Sequence, residues 1–158
     1  MHIKIEEITQ KQIPVIQDLA DQVYMVTYRG IHSEEQNAYM MEQMYSTESL
    51  TRQMTEEKSR FLLLSVDEKP SGYCAFKTYS GEEHNEGKLE NTPKDLPIVY
   101  LDKLYVLPAL QGLGLGKKLV EAVIHETMDH IIIHAVANDV EARQIRAEYK
   151  TGMCAVEY

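Results

Sequence analysis

An α/β domain, with a central mixed sheet flanked by helices, is the fold class that this sequence predicts, and three observations carry the expectation. Helix-period and strand-period segments alternate along the chain. Two apolar runs, residues 61–66 and 73–79, are separated by turn-forming residues and read as antiparallel strands. A third apolar run, residues 98–106, leads through a glycine-rich stretch into an amphipathic helix. The 158 residues suffice for one domain with a real core and are too few for two ordinary ones, so a single domain over 1–158 is expected.

Taken in order, Ile3-Lys4-Ile5 alternates as a short first strand. Thr9 stands at an N-cap position ahead of Ile13, Val15, Ile16, Leu19, Ala20, Val23 and Tyr24, whose spacing predicts an amphipathic helix to about Tyr28. Ser33-Glu34-Glu35-Gln36 reads as a capping box and opens a second helix through Tyr39, Met40, Met41, Met44 and Tyr45. That methionine and tyrosine group, with Tyr24 and Tyr28, reads as core packing. Ser46-Thr47 interrupts the helix, and residues 49–56 make another short helical piece. Residues 67–72 supply the turn between the two antiparallel strands. Residues 80–96, rich in Gly, Glu, Asn and Pro, carry no periodicity and read as a long loop. Beyond the glycine-rich stretch, Leu119, Val120, Val123 and Ile124 form one apolar helix face, and Ile131-Ile132-Ile133 begins a further strand. From Asp139 onward Ala142, Ile145 and Tyr149 fall on one side of a last helix with Gly152 at its C-terminal cap, which turns Tyr149 inward.

Composition narrows the function classes. Cys74 and Cys154 make no disulfide framework, and no signal peptide or bilayer-length apolar run is present, so the expected setting is a reduced cytoplasm with no membrane partner. A formal net charge of −9 leaves no basic stripe for phosphate contacts, which argues against a nucleic-acid partner. The acidic surface attracts cations, or merely keeps the chain soluble.

The most informative stretch is Gln111-Gly112-Leu113-Gly114-Leu115-Gly116. Glycines let the main chain approach a bulky anion without a Cβ, and the helix beginning beside them points free N–H groups and its positive dipole end at that anion. A plain strand-to-helix turn is the other reading. A nucleoside-triphosphate loop would need glycine where Gln111 stands and a hydroxyl where Lys118 stands. A dinucleotide fingerprint starting at Gly112 and Gly114 would need its third glycine at Lys117. His125-Glu126 begins like a zinc-protease helix, but the second ligand position holds Asp129; His130 and His134 have no third ligand nearby, so no metal is expected.

What remains is Q-x-x-G-x-G, preceded by Leu104-Tyr105-Val106-Leu107-Pro108 and followed by Gly116-Lys117-Lys118-Leu119. This run resembles the coenzyme A motif of the GNAT N-acetyltransferases, and the order of elements agrees from the N-terminus to about His125. The resemblance implies the GNAT acyl-CoA N-acyltransferase fold, a mostly antiparallel mixed sheet, and direct attack of an amine on the thioester of acetyl-CoA as co-substrate. It assigns the pyrophosphate to the main chain of Gln111, Gly112, Leu113, Gly114, Leu115 and Gly116, with Lys117 beginning the helix, and places Asn138 beside the coenzyme. It also assigns the pantetheine arm and thioester carbonyl to the main chain of Leu104, Tyr105 and Val106. Tyr149 resembles the family tyrosine that protonates the leaving thiolate, its bland alternative being a buried core tyrosine.

The amine must also lose a proton. An alkylammonium is deprotonated at neutral pH at a penalty of roughly 4 to 5 kcal/mol, which a base helps to meet. Asp102 lies two residues before Leu104 and shares its face in a regular strand, so it is a candidate base; the alternative is an ordinary strand carboxylate paired with Lys103 or solvent.

The chain departs from the family pattern near its end: Glu148 precedes Tyr149 where an aromatic is usual, and Gly152-Met153 arrives one residue early. The shortened C-terminal end leaves room for one short strand where the family has a closing hairpin, and an exposed sheet edge of that kind predicts a homodimer. In the N-terminal half, Tyr39-Met40-Met41-Glu42 and Met44-Tyr45-Ser46-Thr47-Glu48-Ser49-Leu50 look like the polyamine (spermidine and spermine) acetylating branch, in which the first two helices border the acceptor site. Glu34, Glu35 and Glu42 then meet a cationic amine. The expected function is N-acetylation of a small amine; a protein or peptide N-acetyltransferase and a non-catalytic acyl-CoA-binding regulatory module are its rivals.

Overall fold

The computed structural model describes residues 1–79, 98–127, 132–136 and 154–157. In them, strand β1 (Ile3–Glu7) is followed by a 3-10 turn (Gln10–Gln12) and helices α1 (Ile13–Thr27), α2 (Glu34–Tyr45) and α3 (Thr47–Thr55). Strands β2 (Arg60–Val66), β3 (Lys69–Tyr79) and β4 (Ile98–Val106) come next, then helix α4 (Leu115–Thr127) and strands β5 (Ile132–Val136) and β6 (Cys154–Glu157). The expected loop at 80–96 and the last helix with Asn138 and Tyr149 lie outside the described residues.

The six strands form one sheet in sequence order. Pairings from β1 to β4 are antiparallel, while β4–β5 and β5–β6 are parallel, which makes the sheet mixed and mostly antiparallel. One short strand, β6, lies beside β5. Helices α1, α2 and α3 cover one face and α4 the other, so β2, β3 and β4 bury both of their faces.

Local chemistry explains the boundaries. Ser33 caps α2 reciprocally: its Oγ accepts from Gln36 N at 3.1 Å, and Gln36 Oε1 accepts from Ser33 N at 2.8 Å. Ser46 ends α2 in an extended conformation and caps α3 by accepting from Ser49 N at 3.1 Å, which is why the third helix starts at Thr47 rather than at residue 49. The turn between β2 and β3 is tighter than expected. Asp67 and Glu68 both adopt positive φ, 49° and 67°, forming a two-residue hairpin loop, and β3 resumes at Lys69. A register shift between Leu64 and Ser65 follows at once, an irregularity that accommodates Pro70 and its missing N–H.

Strand β4 is irregular too. Ala75 faces Lys103 and Phe76 faces Leu101, so Asp102 is an extra, unpaired residue on β4. The sequence-based expectation that Asp102 shares the face of Leu104 is therefore corrected. Leu101 and Leu104 both pack on the α4 side, whereas the Asp102 carboxylate accepts from Lys103, whose ammonium lies over rings of the opposite face. The bulge re-aims Asp102 toward α1, α2 and α3.

Candidate active site

The glycine stretch joins the end of β4 to the start of α4. Gly112 and Gly114 take φ of +83° and +77°, a left-handed backbone that L side chains rarely adopt, and a Cβ on either would meet nothing within 4 Å. The backbone of the loop is thus open to solvent at both glycines. Gln111 fixes its entry by donating from Nε2 to Val106 O at 3.2 Å, and Lys118 N closes the first helical turn onto Gly114 O at 3.2 Å. Helix α4 is anchored behind the loop by Leu115, Leu119, Val120 and Val123, all buried, so its first-turn N–H groups are held toward the cradle. Leu113 is 53% exposed at the loop tip.

Parallel pairing of β4 with β5 covers Ile98 to Leu101 and stops there. From Asp102 to Val106, β4 has no strand partner on that side among the described residues. An extended chemical arm can lie along such an edge and pair with main-chain groups as an added strand. The structure thus brings Leu104, Tyr105 and Val106 into line with residues 111–117. Leu104 and Val106 bury their side chains against α4, and Tyr105 turns the other way.

That other side carries an array of phenols. Tyr24 sits 4.8 Å from Tyr28, 5.7 Å from Tyr45 and 6.2 Å from Tyr105, measured between ring centroids. Tyr73 lies 6.2 Å from Tyr45 and 5.6 Å from Tyr105, and the Tyr45 and Tyr73 hydroxyls share a hydrogen bond of 2.7 Å. Burial is the main cause that raises the pKa of Tyr24, Tyr45, Tyr73 and Tyr105, with repulsion from neighbouring phenols adding to it. The Asp102 carboxylate adds to the upward shifts of Tyr24 and Tyr45, which places its charge within electrostatic reach of both. Tyr28 and Tyr105 are half-buried, so the array opens outward at those two rings.

Asp102 Oδ2 accepts from Lys103 Nζ at 2.7 Å, the pairing that its bland alternative anticipated. Lys103 itself is buried, a fact the sequence reading missed. Its signal was present in Leu101-Asp102-Lys103-Leu104, where two successive polar residues break the strand alternation. Of Glu34, Glu35 and Glu42, Glu35 alone lines the open groove beside the start of α2, about 680 Å³ in volume, together with His32, Ser33, Gln36, Tyr39 and Met40. Tyr28 stacks on His32 at 5.0 Å and connects this groove to the phenol array.

The family model for the acetyltransferase (GNAT) family matches residues 22–149. Solved structures agree in fold. PaiA N-acetyltransferase from Thermoplasma acidophilum, in complex with coenzyme A, superposes with a TM-score of 0.68 at 20% identity, over 95% of this chain and 88% of that one. An aminoglycoside acetyltransferase from an uncultured soil metagenomic sample, in complex with sisomicin, gives a TM-score of 0.60 at 18% identity, over 94% and 86%. Ribosomal-protein-alanine N-acetyltransferase from Brucella melitensis biovar Abortus 2308 gives 0.59 at 12% identity, over 93% and 90%. The chain belongs to the GNAT family. It is an acetyl-CoA-dependent N-acetyltransferase, with acetyl-CoA as co-substrate. The open main chain at Gly112 and Gly114, and the β4 edge that has no strand partner from Asp102 to Val106 among the described residues, suit a pyrophosphate and an extended arm.

Proposed function

We propose that the chain acetylates a small cationic amine such as a polyamine, and that the amine reaches the thioester from the phenol-lined face of the sheet. One observation carries this reading: the β4 bulge turns the Asp102 carboxylate, 34% exposed, toward a face lined by tyrosines, on the same strand that ends in the glycine cradle. Aromatic faces and a carboxylate attract alkylammonium groups, and Glu35 at the neighbouring groove adds to that field.

In this reading, main-chain groups of residues 111–116 with Lys117 and Asn138 hold the coenzyme, and Leu104, Tyr105 and Val106 align its arm. Asp102 takes the proton from the substrate ammonium. The freed nitrogen attacks the thioester carbonyl carbon, the carbon–sulfur bond breaks, and Tyr149 gives its proton to the departing thiolate.

A thiol-release assay against spermidine, amino acids, aminoglycosides and short peptides tests the acceptor. The expected result is the highest kcat/KM for spermidine or a related polyamine. A preference for peptides or zwitterionic amino acids would replace this acceptor class with theirs. Replacing Tyr149 with Phe is expected to lower kcat far more than acetyl-CoA affinity; equal losses in both would remove its assigned role.

A further inference from the structure

Among the described residues, Lys103 is the one charged side chain enclosed by the core, 4% exposed. Its ammonium donates to Asp102 Oδ2 at 2.7 Å and to Gln53 Oε1 at 2.8 Å, and it lies 5.7 Å from the ring centre of Phe61 and 5.9 Å from that of Tyr45. Gln53, on α3, is fixed in turn: its Nε2 donates to Met44 O at 2.9 Å and to Ser49 Oγ at 3.0 Å. A continuous polar chain therefore runs from the end of α2, through α3, to the bulge in β4.

Stability alone gives little reason for this arrangement. Removing an ammonium from water is costly, and apolar side chains of similar size often replace buried ion pairs without loss. A second asymmetry points to function. Within the pair, the cation is 4% exposed and the anion 34%, so the sealed lysine presents a carboxylate at the surface. The carboxylate sits on the one β4 residue that has no partner on β3, where the bulge aims the side chain and the Lys103 ammonium is the group that holds it.

We propose that Lys103 is a positioning residue, which holds the Asp102 carboxylate toward the phenol-lined face for the incoming amine. This rests on the reading that Asp102 receives the amine proton, and the experiment separates the two. Lys103→Met, Asp102→Asn and the double variant are compared by steady-state kinetics with the best amine, direct acetyl-CoA binding and thermal melting.

The expected result for Lys103→Met is a kcat lowered at least tenfold with acetyl-CoA Kd within twofold of the parent, and a melting midpoint lowered because Gln53 Oε1 is left buried without its donor. In the Asp102→Asn background the second substitution is expected to add no further loss. If Asp102→Asn keeps its kcat, the role of Asp102 falls and the positioning role goes with it. If Asp102→Asn loses kcat while Lys103→Met keeps it, the positioning role alone is overturned. A Lys103→Met chain that loses kcat and acetyl-CoA affinity together reveals a structural lysine, which also overturns it. Should Lys103→Met not fold, Gln53→Leu decides, because it removes the second anchor and leaves the ion pair: a kcat loss that vanishes in the Asp102→Asn background supports positioning, and an unchanged kcat overturns it.

Discussion

The two faces of the sheet are built from different materials. The α4 face is nearly all aliphatic: Leu62, Leu64, Val66, Val99, Leu101, Leu104 and Val106 meet Leu115, Leu119, Val120 and Val123, with Phe76 and Cys74 among them. The face under α1, α2 and α3 holds Tyr24, Tyr45 and Tyr73, with Tyr105 at its margin and the Lys103 ammonium over Tyr45 and Phe61. An aliphatic interior packs densely and leaves α4 little freedom, which suits an element whose first turn must hold a cradle still. The other face carries hydroxyls, an ammonium and an adjacent carboxylate, each needing a partner, and it is the side on which selective contacts with an amine can be made. On the function proposed above, one side of the sheet fixes the coenzyme and the other does the chemistry.

If that division is right, truncation behind the cradle has the largest effect on stability. Leu119→Ala removes a fully buried side chain from the aliphatic face and is expected to cost about 2–5 kcal/mol in urea unfolding. Acetyl-CoA affinity should weaken with it, because the anchored end of α4 carries the cradle. A cost below about 1 kcal/mol would mean that packing does not hold α4 and would end the comparison.

Alkaline titration separates the faces next. Burial pushes the Cys74 thiol up to about 12 from 9.0, and it raises the Tyr45 and Tyr73 phenols well above their ordinary value of 10.0. In each case the folded state keeps a proton that the unfolded chain releases, so stability is full below the unfolded value and falls as pH rises through the window above it. The fall should begin near pH 9 through Cys74, on the aliphatic face, and steepen above pH 10 through the phenols of the other face. Above pH 10, ionisation of Tyr45 and Tyr73 in the unfolded chain adds to this fall. Urea midpoints measured from pH 7 upward check this, and a Tyr45→Phe, Tyr73→Phe chain should show a weaker steepening, carried by Tyr24 and Tyr105, while keeping the earlier onset. A profile that is flat to about pH 11 would show that these groups are not sequestered in solution.

The same contrast explains what was legible in the sequence. The aliphatic face could be read because its signal is periodic: Leu119, Val120 and Val123 recur at helical spacing, and residues 61–66 form one apolar run. The glycine loop was readable for a different reason, since glycines at 112 and 114 answer a local backbone demand, and both do take positive φ. The capping box at Ser33 is equally local. The aromatic face was legible only as packing. Its hydrogen bond between Tyr45 and Tyr73 joins residues from α2 and β3, and the contact of Lys103 with Gln53 spans 50 positions, so no local pattern encodes either. The face of Asp102 was misread because a single extra residue in β4 inverts the alternation on which the reading depended.

The smallest effect discriminates most finely between a polar network and a merely aromatic core. Tyr73 is fully buried and its hydroxyl meets that of Tyr45 at 2.7 Å, so Tyr73→Phe keeps the ring packing and removes one hydroxyl. The remaining Tyr45 hydroxyl is left buried without that partner, at an expected cost of about 1–3 kcal/mol. Removing both hydroxyls leaves no orphan, so the double Phe variant should cost less than the sum of the two single ones, a coupling of about 1 kcal/mol or more. A double-mutant cycle from urea unfolding at neutral pH measures this directly. Strict additivity would mean that the hydroxyls do not depend on each other, and the face would then be aromatic packing that happens to contain oxygens. Coupling without any change in acetyl-CoA affinity would place the network where the comparison puts it, on the acceptor side of the sheet.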